Sequence, residues 1–189
     1  MILPIYAYGQ PVLRKETEDI DENYPNLKQL VADMFETMYH AEGIGLAAPQ
    51  VGLGVRLFIV DTVQIQEEGE EHLGIKKAFI NATILEEEGE EWPYEEGCLS
   101  IPKITGDVER KPRILIEYYD EDFNLHEEWY DGMNARVIQH EYDHVDGILF
   151  LEHLKPLKRR MLKHKLENIK KGEAEADYKM IFHTPKKKR

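Results

Sequence analysis

Apolar residues recur at three- and four-residue spacing through PNLKQLVADMFETMYHA (25–41), where Leu27, Leu30, Val31, Met34, Phe35 and Met38 share one face. That period predicts an amphipathic helix, with Pro25 tolerated at its first turn. EGIGLAAPQVG (42–52) breaks the period with three glycines and a proline and reads as a shaped loop. VRLFIVD (55–61) and KAFINATILEEE (77–88) are strand candidates on either side of the acidic QEEGEEHLG (66–74), for which a solvated loop is the expectation. WPYEEGCLSIPKITG (92–106) reads as turn-rich. RILIEYYD (113–120) and LHEEWYD (125–131) flank EDFN and predict a hairpin. MNARVIQHEYDHVDG (133–147) returns to the helical period and is expected to stop at Gly147, and the Lys-rich KPLKRRMLKHKLENIKKG (155–172) predicts a C-terminal helix. Strands and helices that do not alternate as βαβ units point to the α+β class.

The 189 residues, 42% of them hydrophobic, suffice to bury a core in one domain, assigned here to residues 1–171. Residues 172–189 are expected to form a basic, flexible tail. A single cysteine excludes an internal disulfide. No apolar run approaches the roughly 20 residues of a membrane span, and no basic stretch precedes an apolar one at the N-terminus. A cytoplasmic protein is therefore expected, with no membrane partner. Net charge is −13, a poor match to DNA. The charge is uneven: residues 155–189 hold 13 basic and 4 acidic side chains, net +9, and the rest is net −22. That asymmetry marks residues 155–189 as the segment expected to meet an anionic partner, against the plainer reading of a solvated helix face.

The strongest chemical motif is His140-Glu141-Tyr142-Asp143-His144. Residues four apart on a helix lie one turn above each other, so His140 and His144 present two imidazoles to one metal ion. Glu141 sits about 100° round the helix, within reach of a water on that ion as a general base. Met133, Val137 and Ile138 make the helix apolar, and buried imidazoles beside a buried carboxyl call for a cation. An open four-coordinate site needs a third protein ligand. Cys98, His126, His153 and several carboxylates are candidates, with Cys98 favoured because Gly97 allows its loop a close approach to a helix.

Gly43-Ile44-Gly45-Leu46-Ala47-Ala48-Pro49-Gln50, Glu96-Gly97-Cys98-Leu99-Ser100 and Gln139-His140-Glu141-Tyr142-Asp143-His144 occur in the order found in bacterial peptide deformylases, and Pro11-Val12-Leu13-Arg14 also resembles that family. The resemblance covers roughly residues 5 to 150. It implies antiparallel β-sheets packed around the central HExxH-bearing helix, with an N-terminal and a C-terminal helix. It implies that Cys98, His140 and His144 bind one Fe²⁺, for which Zn²⁺, Ni²⁺ or Co²⁺ can substitute, although one thiolate and two imidazoles would by themselves suggest zinc. The implied reaction removes formyl from the initiator methionine of nascent peptides and releases formate. Glu141 would be the base, with the Gln50 amide and the Leu99 N–H stabilising the oxyanion.

By the same resemblance, Gly45 pairs with the substrate main chain, and Ile44, Tyr94, Met133 and Val137 wall the methionine pocket. Each wall also has a plain reading as core packing, which is favoured for Tyr94. Arg136 lies beside this set, its stem expected to line the pocket while its head reaches solvent. Thr105 stands where many members carry a basic residue. Some members dock on ribosomal RNA through a C-terminal helix, so residues 155–189 are expected to contact the ribosome. Their removal is expected to spare hydrolysis of free formyl-Met peptides. Two other classes fit HExxH: a metallopeptidase, separated by internal peptide cleavage, and a non-catalytic metal-binding module, against which Glu141 argues.

Overall fold

The computed structural model describes residues 1–183. Two-residue β1 (Ile5–Tyr6) is followed by helix α1 (Leu27–His40), strands β2 (Gly45–Ala47), β3 (Leu57–Asp61) and β4 (Lys76–Glu88), and the pair β5 (Trp92–Cys98) and β6 (Ile101–Arg110). Next come β7 (Arg113–Tyr119), β8 (Leu125–Asp131), helix α2 (Gly132–Val145), helix α3 (Pro156–Lys170) and β9 (Met180–Ile181). A five-stranded antiparallel sheet runs β2-β3-β4-β7-β8; β5-β6 form a separate hairpin, and β1-β9 a short parallel pair.

β3 explains the layering. Every residue of LFIVD is buried, and successive side chains point to opposite faces. Phe58 and Val60 join Phe79, Ile116, Val137 and Ile138 in the core under α2. Leu57 and Ile59 join Val31, Met34 and Met38 in the core under α1. The sheet is thus the middle layer between the two helices. A third core lies between β6, α3 and the chain termini, around Ile101, Val108, Leu154, Leu162 and Ile169. α2 is buried on two sides, by the sheet and by β5-β6. It ends as its sequence predicts: Gly147 takes φ +74°, and Ile148 N–H closes on the Asp143 carbonyl at 2.9 Å.

The α+β class and the helices at both ends are as expected, and three segments differ. Residues 92–106 are the two arms of a hairpin, not a run of turns. Pro93, Gly97, Pro102 and Gly106 hide the strand pattern, but β6 buries every second residue from Ile104 to Arg110. Residues 42–52 contain β2 and a 3₁₀ turn, Ala48–Val51. The expected flexible tail is also different over residues 172–183. β9 pairs with β1, with Ile5 N–H donating to Lys179 O at 2.9 Å and Ala7 N–H to Ile181 O at 3.0 Å. Ala174, Met180 and Phe182 pack on the third core, and that apolar burial is what holds the segment. The basic run Lys186–Arg189 lies outside the described residues.

α3 is therefore load on the core as well as a charged surface, because Leu162 and Ile169 are buried. Leu162→Ala should cost about 2–5 kcal/mol in urea unfolding. A chain cut after His153 loses both residues and should show a markedly lower midpoint, which bears on the expectation that removing this segment spares hydrolysis of free formyl-Met peptides. An unchanged midpoint would show that α3 is dispensable.

Candidate active site

α2 and the tip of the β5-β6 hairpin meet edge-on, and the site is built where they touch. The ligand-capable atoms of Cys98, His140 and His144 all lie within 4.8 Å of one another. Cys98 Sγ is 3.4 Å from His144 Nε2. A tetrahedral ion with bonds of about 2.1–2.3 Å spaces its ligands by about 3.6 Å, so this separation fits a bound cation. His140 Nδ1 donates to Glu96 Oε1 at 2.8 Å, which leaves Nε2 available to a metal ion.

The electrostatics point the same way. Burial pushes His144 down to about 3, helped by repulsion from His140, so its imidazole is neutral and free to ligate. Burial opposes charge on His140 as well, but hydrogen bonds to Cys98 and Glu96 outweigh it and raise its pKa. A buried positive charge is thus favoured at the thiol, where a metal cation would replace a proton.

Behind the ligands stands a buried ionic network. Glu96 Oε2 accepts from Arg110 Nε at 2.7 Å and Arg136 Nη1 at 2.9 Å, and Arg110 Nη1 reaches Asp143 Oδ2 at 2.9 Å. His153 Nε2 sits 2.8 Å from the same Asp143 oxygen. Burial alone would raise the Glu96 carboxyl, but hydrogen bonds from His140 and Arg110 hold it well below the carboxylate range. Nothing in the spacing of Glu96 and Arg110 revealed this pairing; they meet because Glu96 and Arg110 face α2 from adjacent strands.

Glu141, 4% exposed, lies on the adjacent side of α2 and faces β2. Its Oε2 is buried without a hydrogen-bond partner among the described residues. Burial pushes its carboxyl up to about 7. A Cβ on Gly45 would stand 2.5 Å from Glu141 Oε1, so glycine is required there by the carboxyl itself. Gln50 is equally buried: its Oε1 accepts Ala47 N–H at 2.9 Å, which fixes the amide and aims Nε2 at Ser100 Oγ (3.2 Å) and Cys98 Sγ (3.4 Å).

All twelve site residues expected from the sequence line one cleft of about 490 Å³ except His144, which is buried at its floor. Ile44, Met133 and Val137 form its apolar wall, and Thr105 also borders it. Tyr94, for which core packing was favoured, is instead 43% exposed at the rim. Arg136 corrects the expectation for its head group, which lies inside the protein. Besides Glu96 it donates to the carbonyls of Val108 and Trp92, each at 2.6 Å, and stacks 4.4 Å from the Trp92 ring. Paired carboxylate and carbonyl acceptors hold it there more strongly than water would. Gly97 faces Thr105 across the hairpin rather than α2. His126 bonds Asp120 at 2.7 Å and His153 bonds Asp143, so neither belongs to the ligand cluster.

A family model described as polypeptide deformylase matches residues 2–160. A peptide deformylase of Christiangramia forsetii is 53% identical and one of Flavobacterium psychrophilum 54% identical, each aligned over the full length of both chains. Among solved structures, a peptide deformylase from Legionella pneumophila is 35% identical with a TM-score of 0.79, covering 92% of this chain and 98% of that one. One from Thermotoga maritima is 40% identical with a TM-score of 0.73, covering 82% and 99%.

The raised Glu141 pKa gives a stability test on metal-free protein. A carboxyl at about 4.5 unfolded and about 7 folded costs nothing when protonated in both states. Above pH 7 it costs roughly 3 kcal/mol, because the folded state must bury the charge. Glu141→Gln should therefore raise the Tm of metal-free protein at pH 8, with the gain shrinking towards pH 5. A gain independent of pH would contradict the assignment.

Proposed function

The chain belongs to the polypeptide deformylase family of metal-dependent hydrolases, which remove formyl from nascent polypeptides, and on that premise we propose the following roles for its residues. Cys98, His140 and His144 hold one divalent cation. The observation that carries this is the convergence of one thiol and two imidazoles in a cleft that also holds a buried, unpartnered carboxylate. A bound cation supplies Lewis-acid polarisation and lowers the pKa of water.

Glu141 accepts the proton of the attacking water through Oε2, and later delivers it to the leaving amine nitrogen. A carbon–oxygen bond forms at the formyl carbon, the carbon–nitrogen bond breaks, and formate and a free N-terminus result. Burial raises the Glu141 carboxyl in the metal-free protein, which favours its taking up a proton during the reaction. Gln50 Nε2 keeps its hydrogen bond to Ser100 Oγ and turns its other hydrogen from Cys98 Sγ to the developing oxyanion. The Leu99 N–H is the second donor. β2 is an edge strand, so the Gly45 backbone is open to pair with the substrate main chain. Ile44, Tyr94, Met133 and Val137 receive the methionine side chain, and Arg136 braces the wall from behind rather than touching solvent. The motif reading that kept an HExxH peptidase open loses its ground once the Cys98 loop and Gln50 stand at the same cleft.

The metal is proposed to be Fe²⁺, with Zn²⁺, Ni²⁺ or Co²⁺ able to occupy the same ligands. Elemental analysis after anaerobic purification tests it. Iron enzyme should lose activity in air faster than a nickel-substituted form, and equal lifetimes would count against iron.

The location is proposed to be cytoplasmic, where nascent chains emerge; among the described residues no helix is long and apolar enough to cross a membrane. Contact with the ribosome is proposed through α3. Lys158, Arg159, Arg160, Lys163 and Lys165 are exposed, and Leu157 and Met161 add an apolar pair on the same surface. Replacing those five cations by Gln spares the buried Leu162 and Ile169. Co-sedimentation with ribosomes at low salt should drop while activity on formyl-Met peptides stays. Undiminished pelleting would refute the contact.

The catalytic roles predict two separable losses. Glu141→Gln should retain metal and lower kcat by about 10²–10⁴. Gln50→Ala should lower kcat by about 10²–10³ with metal retained. Loss of metal from Glu141→Gln would instead make Glu141 a ligand.

A further inference from the structure

The tip of the β5-β6 hairpin carries two groups that must be placed accurately: the Cys98 thiol and the Leu99 N–H. A hairpin tip is mobile unless its backbone is tied. Here three ties meet. Tyr8 N–H donates to Ser100 O at 2.8 Å, Gln50 Nε2 donates to Ser100 Oγ at 3.2 Å, and the Tyr178 hydroxyl donates to Leu99 O at 2.6 Å. The last tie comes from the segment after α3, which the β1-β9 pairing and the packing of Met180 and Phe182 hold against the body. Glu175, Ala176, Asp177 and Tyr178 all border the catalytic cleft. The Leu99 side chain is pinned as well, since a Cβ on Gly43 would come within 2.8 Å of its Cδ1.

We propose that the strap formed by residues 173–183 completes the active site, and that Tyr178 is a positioning residue that holds Leu99 so that its N–H points at the developing oxyanion. This rests on the role proposed above for Leu99 and Gln50. Tyr178 acts through the backbone it binds, so its effect belongs to the transition state: an oxyanion donor displaced by a fraction of an ångström weakens charge stabilisation without weakening the grip on methionine.

The test uses full-length metal-loaded protein and a formyl-Met tripeptide. Tyr178→Phe keeps the ring packing and deletes only the hydroxyl. Its kcat should fall about tenfold, with KM within about twofold of wild type and metal content unchanged. Glu127→Gln, exposed on β8 and outside the cleft lining, should match wild type. In combination with Gln50→Ala the losses should fall short of multiplying, because both act on one corner. A Tyr178→Phe kcat within twofold of wild type overturns the inference. So does a fall in kcat that tracks metal loss, which would place the effect on Cys98, and so does full multiplication of the two losses. If Gln50→Ala alone leaves kcat intact, the oxyanion reading itself fails, an outcome distinct from any result at Tyr178.

Discussion

Burying charge is costly unless each charge is paired, and this constraint organises the protein around Glu96. Its carboxylate accepts from Arg110, Arg136 and His140, all of them buried or nearly so. Removing any one partner would leave charge stranded in a low-dielectric interior, so the four residues stand or fall together. Glu96 and Arg110 belong to the hairpin, whereas Arg136 and His140 belong to α2. The network is therefore a clamp between the two elements that bring Cys98, His140 and His144 together. It fixes both the distance from hairpin to helix and the orientation of the His140 ring.

The apolar layers do a different task. The sheet buries α2 on one face through Phe58, Phe79, Val137 and Ile138, which sets the depth of the helix but not its rotation to within the tolerance chemistry needs. The ionic clamp and the Gly45–Glu141 contact set that rotation. One side of α2 thus presents His140 and His144 to Cys98, while the adjacent side presents Glu141 to the edge strand β2. Glu141, proposed as the base, and His140 and His144, proposed as ligands, sit on one stretch of α2, so movement of the helix shifts these three together, whereas Cys98 follows the hairpin.

Periodicity revealed most of the architecture, because α1, α2, α3, β3, β4 and the β7-β8 hairpin each bury one face or both in a regular pattern. It failed where side-chain pattern and backbone duty diverge. In β5-β6 Gly106 allows close packing against Leu154 and Gly97 against Thr105, so the strands carry turn residues. The placement of His140, Glu141 and His144 together was legible because helical spacing is itself geometry; Cys98 was favoured as the lone thiol on a Gly97-bearing loop, and the resemblance to a known motif singled it out. Arg136 misled, since a long cationic side chain beside a pocket usually snorkels, and only the three-dimensional position of Glu96 shows why this one does not. Tyr178 carried no local mark at all. Its contact with Leu99 spans 79 positions and depends on the chain doubling back after α3.

That return also changes what the basic end of the chain is for. An acidic body with a net +9 terminal segment looks like two parts with separate duties, one catalytic and one for docking. In three dimensions the same segment supplies Leu162 and Ile169 to a core, β9 to a sheet, and four residues to the rim of the catalytic cleft. On α3, Lys158, Arg159, Arg160, Lys163 and Lys165 are exposed while Leu162 and Ile169 are buried. A helix with 3.6 residues per turn permits this division, burying one stripe while charging the rest. α3 and the cleft-lining residues 175–178 are parts of one continuous segment, held to the body by Leu162, Ile169 and β9. Any force that lifts α3 from the body acts directly on the strap, and through the Leu99 tie on the hairpin tip that carries Cys98.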